Sequence, residues 1–306
     1  MLGTSRSYEL TRSFWLLVVA HSGPVGFSDA IGQTNASLIR RTCNANGTLL
    51  KPSKPLTTID RLILLGEDSQ DAPNVVASFD GESSAVSPCL PRVIAVAHQS
   101  QCHQLPACMR AIPSMSLKIW NVSKCLHLQK PVRGWYVVSF GSWKHGPTQP
   151  NPEFTVFPTD LWPPLVTTLN HSDYSGRLHR WRWGGVGAAP HCANGTAAAE
   201  CATVIPAGSN LLSLRSPPLE APLAPALHVF APECSNGWTL LGELSKFSTL
   251  STQRFASTVC TATGLSMKIL GGADERVEVT ALSKTGQVVV SIVSIGPTGE
   301  TTLVLQ

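Results

Sequence analysis

Carboxylates are the first group of side chains in this sequence that could carry chemistry. Cleavage of a glycosidic bond needs two of them on opposite sides of one sugar linkage. Among 19 acidic residues, Asp29 and Asp160 lie in loop-like sequence and are the two to place first in such a site. A single carboxylate more often faces solvent or caps a turn, and spacing identifies no pair. No complete catalytic set is present, and no catalytic residue is assigned.

Eight tryptophans form the second group of candidates. An indole ring can stack on the apolar face of a sugar, or it can anchor a core, since tryptophan is well buried on average. Strand-like surroundings favour the core for Trp120, Trp135 and Trp238. Four others lie next to Gly/Pro-rich loops or share one face of a predicted strand, and we expect carbohydrate contacts, if any, from these: Trp143, Trp162, Trp181 and Trp183.

The nine cysteines point to an oxidising compartment when they are taken together with five Asn-X-Ser/Thr glycosylation sequons. The sequons begin at Asn35, Asn46, Asn121, Asn170 and Asn194. Secretory-pathway or extracellular localisation is therefore expected. Cys192 and Cys201 bracket a short loop and are the first predicted disulfide, and Cys234 with Cys260 is the second.

A cysteine and histidine cluster offers soft metal ligands at Cys102-His103, Cys108 and Cys125-Leu126-His127. Its spacing is looser than that of a zinc site, so local disulfides are the favoured interpretation. No metal site and no cofactor are predicted. Lysine and arginine are scattered along the chain, and the net charge is only +4. Both observations argue against a nucleic-acid partner. Oligomeric state cannot be deduced.

No apolar stretch reaches the length of a membrane-spanning helix. The run at 14–20, which follows Arg6 and Arg12, has two open interpretations. It is either a short signal peptide or part of a domain that begins earlier.

The elements that would position these groups are mainly strands. Residues 228–306 contain alternating apolar and polar runs separated by glycine turns, which predicts antiparallel strands in a meander. Further strands are predicted at 93–97, 117–122, 134–140 and 177–183. Residues 66–92 have little periodicity and are predicted to be a surface loop or linker. The expected fold is mainly β, an antiparallel β-sandwich region at 71–306 preceded by a short α/β segment at 1–70.

A resemblance to a known family enters with the run Asn236 to Phe247 (NGWTLLGELSKF) and the Gln253-Arg254-Phe255 that follows. These residues resemble the end of melibiase-like (α-galactosidase-like) glycoside hydrolases, where a similar phrase opens the last part of a C-terminal β-sandwich. Residues 22–29 (SGPVGFSD) look like that family's final barrel strand and its loop. The resemblance implies that Asp29 contacts substrate at the rim of a sugar pocket.

The same resemblance has a consequence for activity. The family's catalytic aspartates come from earlier barrel strands, so it implies that this chain is a C-terminal portion without them. We expect a glycoside-hydrolase-like protein with a carbohydrate-contact or structural role. Two alternatives stay open: an independent secreted carbohydrate-binding or adhesion module, and a complete enzyme of an unrecognised type.

Overall fold

Antiparallel β-sheets make up most of the structure. The computed structural model describes residues 35–65, 73–81, 132–143, 153–161, 173–182, 192–206, 208–215 and 226–306, all of which belong to one compact unit. The strands are β1 (Thr57–Thr58), β2 (Pro73–Gly81), β3 (Val132–Trp143), β4 (Glu153–Val156), β5 (Tyr174–Arg182), β6 (Thr203–Ile205), β7 (Leu212–Arg215), β8 (Ala226–Cys234), β9 (Thr239–Gly242), β10 (Phe255–Cys260), β11 (Leu265–Leu270), β12 (Arg276–Leu282), β13 (Val288–Ser294) and β14 (Glu300–Leu305). The predicted mainly β fold class is confirmed.

Short helices occur between the strands: α1 (Ala36–Arg40), α2 (Asp60–Leu65) and α3 (Ala198–Cys201), with a 3₁₀ turn at Pro158–Asp160. The first of these helices, α1, is capped at its start. Its N-cap is Asn35, whose side-chain oxygen accepts a hydrogen bond from Ser37 N–H at 3.0 Å. This bond satisfies one of the free N–H groups at the start of the helix.

The central layer is a six-stranded sheet with the order β1-β2-β3-β8-β5-β6, in which every neighbouring pair is antiparallel. Side chains alternate between its two faces. On one face Tyr136, Trp181 and Val229 pack into the core of the C-terminal sheets. On the other face Trp135 and Phe230 pack into a separate core that includes residues of α2, β4 and β7.

The C-terminal strands form two three-stranded sheets, β10-β11-β14 and β13-β12-β9. In β11 every second residue is buried, and buried residues of β12 share the same core. This is a sandwich, as predicted, but not a simple meander. The hairpins β10–β11 and β12–β13 pair neighbours in sequence, whereas β9 pairs with β12 and β11 with β14. The chain therefore crosses from one sheet to the other after β9, β11 and β13.

One prediction is wrong in part of its range. The segment 66–92 was expected to be loop, yet β2 is a nine-residue strand inside the central sheet. Val75 and Phe79 are buried on one face, while Ser78 and Asp80 lie on the face that carries Tyr136. Ser78 and Asp80 can be buried because they make hydrogen bonds inside the protein, among them the bond that Ser78 Oγ donates to the Lys54 carbonyl at 2.6 Å. Since these buried residues are polar, the strand shows no regular alternation of apolar and polar residues.

Candidate functional site

The connection between β9 and β10, residues 243–254, carries several buried polar contacts; we term it the junction loop. It follows Gly242, the last residue of β9, which has a φ of +89°. A Cβ at this position would lie 2.0 Å from the Thr249 carbonyl oxygen, so only glycine fits. The Glu243 N–H donates to the same carbonyl at 2.9 Å, and the loop therefore folds back on itself.

Arg254 is the centre of the junction loop, and its side chain is fully buried. Its Nε donates to Glu243 Oε2 at 2.8 Å, and its Nη2 donates to Glu275 Oε1 at 2.6 Å. Its Nη1 donates to the Leu270 carbonyl at 2.6 Å. Gly271 leaves the room for this arrangement, since a Cβ there would lie 2.6 Å from Nη1. Each nitrogen of this buried guanidinium thus has a partner, as a charge removed from water requires.

The two carboxylates around Arg254 have opposite pKa shifts. Burial raises the pKa of Glu243 and outweighs the attraction of Arg254 and Lys246, which acts in the other direction. Burial also acts to raise the pKa of Glu275. Hydrogen bonds from Arg254 and from the backbone N–H groups of Ala45 and Gly272 outweigh that effect, so the pKa of Glu275 is lowered. Glu275 therefore links the network to the segment that contains Ala45.

Side chains of the junction loop hold residues 40–53, the preceding segment, mainly through hydrogen bonds to the backbone of that segment. Lys246 Nζ donates to the carbonyls of Arg40 at 2.7 Å and Cys43 at 2.8 Å. Ser251 Oγ donates to the carbonyl of Lys51 at 2.8 Å, and Lys51 N–H donates to Gln253 Oε1 at 3.1 Å. The loop fixes the path of this segment without depending on most of its side chains.

The junction loop also reaches the central sheet through Asp80, which is fully buried on β2. Asp80 Oδ2 accepts from Tyr136 Oη at 2.7 Å and from Ser248 Oγ at 3.1 Å, and Oδ1 accepts from Ser53 N–H at 2.9 Å. Tyr136 Oη in turn accepts from Leu250 N–H at 2.8 Å. One carboxylate and one phenol thus join the preceding segment, the sheet and the junction loop.

Burial dominates the titration of this pair. It raises the pKa of Asp80 to about 6, although hydrogen bonds from Tyr136, Ser248 and Ser53 act to lower it. The pKa of Tyr136 is raised well above its usual value by burial and by the charge of Asp80. Asp80 therefore changes charge within a pH range that is experimentally accessible.

A second buried carboxylate, Glu233 on β8, is paired on the same face of the central sheet. Its Oε2 lies 3.0 Å from His179 Nε2, and its Oε1 accepts from Arg177 Nε at 3.0 Å. All three residues belong to the paired strands β5 and β8. This group ties two neighbouring strands together at the end of the shared core.

The predicted site residues do not come together in the described structure. Asp160 Oδ2 accepts from Phe157 N–H at 2.8 Å and lies 3.4 Å from Arg61 Nη2, so this carboxylate caps the 3₁₀ turn. Trp181 is only 2% exposed within the core. The interpretation of Trp181 as a carbohydrate platform is therefore wrong, because the C-terminal sheets cover its face.

Other predicted contacts cannot be placed. Asp29, Trp162 and Trp183 lie outside the described residues, as do Trp120 and the Cys102–Cys125 cluster. Trp143 ends β3, but its side chain is not among those described. Trp135 and Trp238 are buried, as expected for core residues.

The two predicted disulfides, Cys192–Cys201 and Cys234–Cys260, are both present. Among the sequons, Asn46 and Asn194 are exposed in turns, and Asn35 caps α1. Asn121 and Asn170 lie outside the described residues. Within the described ranges no group of three or more His, Cys, Asp or Glu side chains is arranged to hold a metal. None of the helices in those ranges is long and apolar enough to cross a membrane.

Sequence reasoning missed Asp80, Tyr136, Arg254 and Glu275 as a connected group. The one available signal was Arg254 beside Phe255, which entered only as part of the family resemblance. An arginine directly before an apolar residue at the start of a strand is a reason to look for a buried carboxylate partner. Nothing in the sequence around Asp80 distinguishes it from a loop acid.

The chain matches no protein-family model, and no curated protein sequence matches it significantly. The likeness to melibiase-like glycoside hydrolases therefore rests on the residues at 22–29, 236–247 and 253–255 and stays a hypothesis about ancestry.

Proposed function

We propose that this chain is a non-catalytic, glycoside-hydrolase-like protein whose C-terminal sandwich supports the segment before it. The observation that carries the proposal is the position of the residues behind the family resemblance. Gly242 leads into the junction loop, which contains Glu243, Lys246 and Arg254. Lys246 holds the backbone carbonyls of Arg40 and Cys43 in residues 40–53. The sequence run that suggests the family therefore attaches the C-terminal sandwich to residues 40–53.

The chemistry of the loop supports a structural role over a catalytic one. Arg254 donates its hydrogen bonds to two carboxylates and a carbonyl. Both oxygens of the Asp80 carboxyl accept bonds from groups that belong to different segments. Side chains that are saturated in this way are poorly available to a substrate, but they fix the relative position of distant elements.

The setting in which this support works is proposed to be the secretory pathway or the cell exterior. Two disulfides support that setting, because such bonds persist where the environment is oxidising. The exposed sequon asparagines Asn46 and Asn194 are accessible for glycosylation in the same compartment.

Amide hydrogen exchange tests the attachment directly. In the purified chain, Arg254→Met should increase exchange of the amides in residues 40–53 by at least tenfold, because the junction loop that holds them is loosened. Arg276→Gln, at an exposed position on β12, serves as the matched control and should leave them unchanged. Equal exchange in Arg254→Met and the control would overturn the supporting role.

An activity measurement tests the other half of the proposal. The purified 306-residue chain should not hydrolyse aryl α-galactosides above the rate of a heat-inactivated sample. Turnover that follows the folded protein through purification would show that the chain is an enzyme and would refute the non-catalytic assignment.

A further inference from the structure

Three basic side chains share one face of the central sheet at the ends of β5 and β8. Arg180 and Arg182 are two residues apart on β5, so they project from the same face about 7 Å apart. Arg182 is the register partner of His228 on β8. Residues directly opposite in an antiparallel pair lie about 5 Å apart with both side chains on one side of the sheet. The three side chains are therefore close neighbours.

These basic residues have no acidic counterpart among the described residues. The ion pairs of that part of the chain involve neither Arg180 nor Arg182, whereas Arg177, on the opposite face, pairs with Glu233. The charges that act on His228 are those of Arg180 and Arg182, and both are positive. Among the described residues, this end of the sheet therefore carries unbalanced positive charge.

His228 gives a second and independent indication of a ligand. His228 is only 7% exposed, and its Nδ1 atom is buried without a hydrogen-bond partner in the described structure. Burial, followed by the charges of Arg180 and Arg182, lowers the pKa of His228 to about 4, so the ring is neutral at pH 7. Buried polar atoms are almost always hydrogen-bonded, and an exception calls for an explanation.

We propose that Arg180, Arg182 and His228 form a binding site for an oxyanion, that is, a sulfate or carboxylate group. Guanidinium groups present paired N–H donors that match the oxygens of such groups. The imidazole adds a directional contact at the buried side of the site. An anion there also offsets the mutual repulsion of the two arginines. The anion is either a free ion or an acidic group on a carbohydrate, and the site does not depend on the supporting role of the junction loop.

Sulfate titration of the full chain tests this site. Sodium sulfate is added at constant ionic strength, kept with sodium chloride, while the ring resonances of His228 are followed by NMR. We expect a saturable shift of these resonances, and at least a tenfold weaker apparent affinity in Arg182→Gln. Arg276→Gln removes one positive charge from an exposed position on another sheet and should bind as the wild type does.

The controls separate a site from general charge effects and identify the source of the anion. Arg182 is exposed, so its substitution should leave the unfolding midpoint in the absence of sulfate unchanged. A sulfated tetrasaccharide that binds at least tenfold more tightly than sulfate identifies a carbohydrate source, and equal affinities identify a free ion. No saturable shift, or equal weakening in Arg182→Gln and Arg276→Gln, would overturn the proposal.

Discussion

Replacement of Arg254 by methionine is the sharpest test of how the junction loop is held. Methionine keeps an unbranched chain of similar length but removes the guanidinium. Glu243 and Glu275 would then lose the donors at 2.8 and 2.6 Å, and the Leu270 carbonyl would lose one at 2.6 Å. Both carboxylates would remain in place, with little exposure to water.

The expected loss follows from that burial. Removal of one partner from a buried ion pair leaves an uncompensated charge and costs about 3–5 kcal/mol. Because the free energy of unfolding of a typical protein is about 5–15 kcal/mol, the variant should still fold. It should unfold at a clearly lower denaturant concentration than the wild type. The loss should shrink as the pH falls, because the pKa of Glu243 is already raised and protonation removes the unpaired charge.

Urea denaturation at pH 7 in non-reducing buffer, followed by tryptophan fluorescence, measures this loss. Glu243→Gln added to Arg254→Met should recover at least about 1 kcal/mol, because residues in one network are not additive. The exposed control Arg276→Gln should change stability by no more than about 0.5 kcal/mol. A loss below 1 kcal/mol for Arg254→Met, with no recovery in the double variant, would refute the network as the basis of the junction.

Two further predictions concern Asp80 and Asn46. Because the pKa of Asp80 is raised to about 6, its ionisation opposes folding, and the group is most favourable to stability when protonated. The unfolding free energy of the wild type relative to Asp80→Asn should therefore fall by about 2 kcal/mol between pH 4 and pH 7.5. Tyr136→Phe should move this transition to higher pH, and a flat difference would contradict the reasoning. Asn46 lies exposed in a turn with its sequon Thr48, so expression in a secreting eukaryotic host should add a glycan that glycosidase treatment removes; an unchanged mass in Asn46→Gln would count against glycosylation there.

The C-terminal strands were predictable because their side chains follow a simple rule. In β11 apolar and polar residues alternate, and the buried positions are the apolar ones. The strand β2 fails the same rule because Ser78 and Asp80 occupy buried positions next to Phe79. Their hydrogen-bond partners come from residues such as Lys54 and Tyr136, which are distant in sequence. Periodicity cannot reveal burial that depends on such partners.

The candidate site shows the same limit in a different form. The predicted site residues were exposed carboxylates, which can cleave a sugar linkage, and exposed indoles, which can stack on a sugar. Asp160 and Trp181 instead serve the turn and the core. The disulfides were easier, because Cys192 and Cys201 are separated by only 9 residues and a short loop can join them. The distance in sequence between partners largely determined which interactions could be foreseen.

The buried network at Arg254 is better suited to fix an arrangement than to add stability. A buried ion pair is often no more stabilising than apolar residues of the same volume, but its hydrogen bonds have direction. Arg254, Glu275 and the Ala45 backbone come from three separate segments, and their bonds form only when all three are in place. The runs 236–247 and 253–255 include Glu243 and Arg254 of this network, so the hypothesis of ancestry based on them predicts a shared way of joining segments.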